Sequence, residues 1–274
     1  MRGHLIALAF VAALAAGCAS SSDAVPEKTT TTALAPLTQA QLDAALPRPT
    51  DLPIGWSTSG GAGAPFDPKS GLGEGQCGGP NLDARAQAYE VVGKAATGRL
   101  NIDQQSGVGQ PSSAGWFVLY AFPSTDAAQK FMAASSYTSL SCPEGITYDE
   151  VDVPISATIN GTWHVTESVS LGSAKVAGAD EAFSTMIVFD RKSTINGDEV
   201  ELVATKSNVY ARFGDVVLFT AINAVSGSTG FSDSDAQEYL TPKTEWVMAA
   251  ADAVVPHITS VLAARSVGAE PAPN

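Results

Sequence analysis

Between Thr162 and Leu171 the chain alternates: Trp163, Val165, Glu167, Val169 and Leu171 fall on one side, and His164, Thr166, Ser168 and Ser170 on the other. A period of two is the signature of a half-buried strand. Further strands are predicted over Ala86–Val92, Gly98–Asp103 and Ala114–Phe122, the last (AGWFVLYAF) apolar enough for a central position. Ala182–Asp190 and Glu199–Ser207 flank Asn196-Gly197, a dipeptide suited to a tight hairpin turn. Asn208–Phe213 and Asp215–Asn223 are predicted to pair around Gly214. After Pro143 the second half of the chain is rich in such strands.

Three stretches follow the helical period instead. Thr38 and Gln41 form a capping box for a short helix, Gln39–Leu46, which Pro47 ends. Pro123-Ser124-Thr125-Asp126 opens a second helix, with Ala127, Ala128, Phe131 and Met132 as its apolar stripe. Thr241-Pro242 opens a third, with Trp246, Val247, Ala250, Ala251 and Val254 inward, and Pro256 is predicted to kink or interrupt it before Ile258, Val261 and Leu262. The order is helix, three strands, helix, four or five strands, helix. That is an α+β fold, a single domain over residues 37–265 with a mostly antiparallel β-sheet and helices packed on it, because hairpins dominate and βαβ alternation is absent. Both halves run strands then helix, but no residue motif repeats.

The N-terminus has a different composition. Leu5–Ala16 is an unbroken apolar run behind Arg2, too short to span a bilayer but suited to the core of a signal peptide. Ala15-Ala16-Gly17-Cys18 resembles the bacterial lipobox, so residues 1–17 are expected to be removed and Cys18 to carry a diacylglyceryl anchor. An ordinary cut after Ala15, which leaves a spare Cys18, or after Ala19 is the other route open to this sequence. Residues 18–36, rich in Ser, Thr, Ala and Pro, read as a flexible tether, and residues 266–274 as a disordered tail. The expected location is the outer face of the cell membrane.

With Cys18 given to lipid, Cys77 and Cys142 remain. In an oxidising compartment two cysteines most simply form one structural disulfide, and neither lies in a metal or redox motif. The formal net charge is −13, and losing the signal peptide makes it one unit more negative, because Arg2 goes and no acid does. Such a surface disfavours nucleic acid.

Catalytic, metal and cofactor motifs are absent. His164 reads as a strand-face residue and His257 as a helix-surface residue. There is no paired-His zinc motif and no G-x-S-x-G, and Gly227-Ser228-Thr229-Gly230 is wrongly spaced for a nucleophile elbow. The glycine-rich loop Ser57–Pro80 lacks the phosphate-loop pattern. Ser232-Asp233-Ser234-Asp235 with Glu238 suits a helix cap better than a calcium loop, and Asn160-Gly161-Thr162 reads as a turn. Asp149-Glu150, Asp180-Glu181 and Asp198-Glu199 are adjacent pairs, which point to opposite faces on a strand. Trp56, Trp116, Trp163 and Trp246 read as core.

The lipobox and Thr/Pro tether are followed by a series of ordered landmarks: Leu37-Thr-x-Ala-Gln-Leu42, Asp51-Leu-Pro-x-Gly-Trp56, Cys77, Phe122-x5-Ala128, Cys142 and Arg212-Phe-Gly-Asp-Val-Val217. In this order the chain resembles the actinobacterial extracellular sensor-domain family found on PknH-type receptor kinases and on small lipoproteins. The resemblance implies an antiparallel sheet with helices packed on it, a cleft between them, and ligand sensing without catalysis. The kinase-linked type implies two disulfides, whereas this chain has cysteines for one beyond Cys18. The expected function is therefore a membrane-anchored lipoprotein whose sensor-like domain binds a small molecule or envelope lipid. The competing reading is a non-catalytic domain that docks onto another envelope protein.

Overall fold

The computed structural model describes residues 35–52, 55–58, 90, 95–104, 112–140, 145–154, 160–195, 198–227 and 243–267. The chain divides into two units, Met1–Ala33 and Leu34–Asn274, and every described residue belongs to the second.

Eight strands form one sheet: β1 Trp56–Thr58, β2 Ala96–Gln104, β3 Ser112–Ala121, β4 Ile146–Pro154, β5 Asn160–Ser173, β6 Glu181–Ile195, β7 Asp198–Phe213 and β8 Val216–Gly227. Their spatial order is β1-β2-β3-β8-β7-β6-β5-β4, and every neighbouring pair is antiparallel. Strands β4 to β8 are a run of hairpins, and β3 pairs with β8 to close the two halves into one sheet. Among the described residues three α-helices of known extent accompany it: α1 Gln39–Ala44, α2 Thr125–Leu140 and α3 Lys243–Ser266. Thr38 and Gln41 make the reciprocal cap of α1, with Thr38 N–H donating to Gln41 Oε1 at 2.9 Å.

The strict alternation of β3 and β8 gives each face of the sheet its own core. Phe117 and Leu119 of β3 with Leu218 and Ile222 of β8 lie on the face that packs against α1 and α3, which contribute Leu42, Val247, Ala251, Val254 and Ile258. Val118, Tyr120, Val217 and Phe219 point the other way and meet Ala128, Phe131 and Met132 of α2. An aromatic cluster fills this second core. Phe183 stacks on Tyr210 at 4.7 Å between centroids, and Tyr210 lies 4.7 Å from Phe219. Gly115 lets β3 approach β8, because a Cβ there would run into the Ala221 carbonyl.

The motif Arg212–Val217 is a structural junction. Arg212 pairs with Val217 and Phe213 with Val216, so Gly214 and Asp215 form the two-residue turn, with Gly214 at φ +63°. Arg212 donates to Asp180 at 2.9 Å and lies 3.4 Å from Glu181, so this adjacent acidic pair converges on one guanidinium. Asp215 accepts two bonds from Arg265 at the end of α3, at 2.9 and 2.6 Å, and its carbonyl accepts from Phe122 N–H. The turn thus ties β3, β7, β8, α3 and the segment before β6 together.

Several expectations need correction. The fold is antiparallel throughout, but the single disulfide that formed part of the expected fold is withdrawn: no bridge is present among the described residues, and Cys77 and Cys142 both lie outside them. Of the expected strand Ala86–Val92 only Glu90 is described, and it is helical; the first strand is Trp56–Thr58 instead. Helix α3 runs continuously through Pro256, whose side faces solvent while Val254 and Ile258 hold the flanking turns against the sheet. Asn160-Gly161-Thr162 begins β5 and is not a turn. Cys18, the glycine loop beyond Thr58, Asn196-Gly197 and the Ser232–Glu238 segment lie outside the described residues.

Candidate functional site

Because opposed residues of paired strands share a face, the register places side chains into rows across the sheet. On the α2 face, the row next to the aromatic cluster runs Asn101, Trp116, Ala221, Asn208, Thr185. The following row includes Ala114, Asn223 and Lys206. Strand β7 therefore changes character along one face, from Tyr210 through Asn208 to Lys206, while all three stay buried.

The neighbours of Trp116 on this face, Ala221 opposite it on β8 and Ala114 two residues before it on β3, are small. Lys206 Nζ stands 4.9 Å from its ring centroid and Arg99 Cζ 5.6 Å from it, both within cation–π range. Arg99 Nε also donates to Asn101 Oδ1 at 2.8 Å. Asn208 is 4% exposed and donates through Nδ2 to Thr185 Oγ1 at 2.9 Å. Three polar atoms of this floor are buried without a hydrogen-bond partner among the described residues: Trp116 Nε1, Asn208 Oδ1 and Asn223 Oδ1. A buried polar atom left unpaired costs about 1–3 kcal/mol. These three lie together on two adjacent rows of one face, while Asp190, Arg191, Thr205, Thr220 and Arg265 carry such atoms elsewhere.

Further along the same face lies a second polar group. Glu167 is fully buried on β5 and accepts from the Tyr148 hydroxyl at 3.2 Å. Burial, with the Glu167 carboxylate beside it, pushes the Tyr148 hydroxyl up to about 12, so it stays protonated and donating. Arg191 pairs with Glu150 at 3.0 Å and lies 5.4 Å from the Phe189 ring centroid.

The histidines are elsewhere. His164 is exposed on the opposite face, as its strand position implies, and contacts Asp149 at 2.7 Å. Asp149 and Glu150 thus point to opposite faces, one to His164 and the other to Arg191. His257 is mostly buried, not a helix-surface residue: its Nε2 lies 3.0 Å from Asp51 in the turn after α1. Neither imidazole has a serine hydroxyl within hydrogen-bond distance among the described residues. No group of three or more metal-ligating side chains occurs among them either. Trp56 and Trp246 meet edge to face at 6.3 Å and Trp163 is buried, as core tryptophans should be, whereas Trp116 is the centre of the polar floor. The sequence carried one signal for this floor: Lys206 and Asn208 share a strand face with buried Tyr210.

No family model and no curated protein matches the chain. Among solved structures it is similar to the extracellular domain of PknH from Mycobacterium tuberculosis, with 15% identity and a TM-score of 0.43, covering 81% of this chain and 98% of that one.

Proposed function

We propose that this chain is a non-catalytic ligand-binding domain held outside the cytoplasmic membrane by a lipid on Cys18. The observation that carries the binding role is the Trp116 floor, where the Nε1 of a half-buried indole and two Asn Oδ1 atoms are buried on the α2 face without hydrogen-bond partners among the described residues. A site that binds and orients a small molecule needs a few placed polar groups in an otherwise apolar wall, and the aromatic cluster beside Trp116 supplies that wall. The anchor rests on Ala15-Ala16-Gly17-Cys18 and on the tether at residues 18–36. The helix that is long and apolar enough to cross a membrane, Trp246–Ser266, has its apolar stripe packed on the sheet, which supports a core role for it.

A protein-docking role would call for a broad exposed apolar patch. The large exposed apolar residues among those described, Val151, Leu171, Met186 and Val267, are scattered over an edge strand, both sheet faces and the tail. Native mass spectrometry of the protein recovered from its own envelope tests the binding role. A discrete non-covalent mass that is lost on unfolding supports it, and a ligand-free protein contradicts it. The same spectrum reads the anchor: a mature chain beginning at unmodified Cys18 contradicts lipidation.

A further inference from the structure

We infer that the Trp116 floor recognises a neutral primary carboxamide, an inference that rests on the binding role above. The unpaired atoms specify the complement. Trp116 Nε1 is a donor that lacks an acceptor, and Asn208 Oδ1 and Asn223 Oδ1 are acceptors that lack donors. A ligand group that fills all three offers one acceptor and two donors. A primary carboxamide does so with a single planar unit: its carbonyl accepts and its NH2 donates twice. An anion is the wrong partner, because carboxylate or phosphate oxygens would face the two Asn carbonyls. A cation is equally unsuited beside Lys206 and Arg99, which stand 4.9 and 5.6 Å from the Trp116 ring centroid.

The spacing fits a small group. Asn208 is opposite Ala221, and Asn223 is two residues along β8 from it, so the two Asn are diagonal neighbours about 7–8 Å apart. Trp116 is opposite the same Ala221 from β3, so one small residue lies beneath all three polar groups. Both Asn acceptors take a hydrogen from the same NH2, whose two hydrogen bonds of about 3 Å set their oxygens roughly 5 Å apart, within reach of side chains that start from diagonal positions. Asn208 is fixed for this task, since its Nδ2 is already held by Thr185 at 2.9 Å.

The test uses the full chain with isotope-labelled tryptophan, which gives four indole N–H resonances, that of Trp116 being assigned with Trp116→Phe. Nicotinamide is the probe and nicotinate its acceptor-only, anionic counterpart. Saturable movement of the Trp116 resonance by nicotinamide, with nicotinate at least about tenfold weaker, is the expected result, the difference being that of roughly one lost hydrogen bond. Asn208→Leu and, at the less buried neighbouring position, Asn223→Leu should each weaken nicotinamide by about tenfold while leaving the other indole resonances in place. No movement of the Trp116 resonance, equal binding of nicotinate, or unchanged affinity in a folded Asn223→Leu chain overturns the inference. A ligand retained in native mass spectra without a nicotinamide response would overturn the carboxamide alone, whereas a ligand-free chain with no response would remove the binding role as well.

Discussion

At the scale of single residues, two charge pairs tie distant segments of the chain together. Arg265 and Asp215 are 6% and 14% exposed and share two hydrogen bonds, so removing either leaves the other charged and largely dry. Arg265→Ala is expected to lower unfolding free energy by about 3 kcal/mol, measured by urea denaturation. Asp51 gives a pH-dependent counterpart. The Arg48 backbone N–H, donating at 2.7 Å, holds its carboxyl below the usual carboxylate value; His257 pulls the same way and partial burial opposes both. A lowered folded pKa contributes stability above the unfolded value near 4, and that contribution is lost as pH falls through the folded value. Asp51→Asn should therefore be less stable than the wild type at neutral pH, with the gap closing as the pH falls below the unfolded value near 4. A gap that widens in acid would contradict this assignment. The contact between Asp51 and His257 joins residues 206 apart, so neither residue type nor local pattern disclosed it.

At the scale of elements, local chemistry was readable wherever it was self-contained. The Thr38/Gln41 cap, the apolar run Ala114–Phe122 and the turn at Gly214 all stand where their residues indicate. What the pattern hid was continuity and pairing. Glu199–Ser207 and Asn208–Phe213 are one strand, Asp198–Phe213, because no turn residue separates them. Strand β4 was obscured by its irregularity: pairing slips between Glu150 and Val153, and Asp152 takes φ 58°. That bulge, with Pro154 behind it, blunts an edge strand against further pairing. Central strands tolerate less. Gly115→Ala would set a methyl group against the Ala221 carbonyl between β3 and β8. A loss of about 2 kcal/mol or more in unfolding free energy is expected, and an unchanged midpoint would show that β3 and β8 lie further apart than described.

At the scale of the whole molecule, the antiparallel sheet with helices on both faces was legible as an α+β class, whereas the candidate site was not. The floor depends on register: Trp116, Asn208 and Asn223 belong to three strands and meet only because β3, β8 and β7 are consecutive in space. That order follows from β3 pairing with β8 across a gap of about a hundred residues, which hairpin signals between sequence neighbours do not encode. The two faces of the extended part of the sheet also differ. One carries the exposed row Asp149, His164, Lys192 and Glu201, whose surface ion pairs are each worth less than about 1 kcal/mol. The other buries its polar groups around Trp116.

That contrast yields the most direct test of the binding role. Native mass spectra should be recorded for the wild-type chain recovered from its envelope, for Asn223→Leu on the α2 face, and for His164→Ala on the opposite face. Retention of a ligand by the wild type and His164→Ala, with its loss from Asn223→Leu, is the expected result. A wild type without ligand, or equal retention in all three, would contradict it.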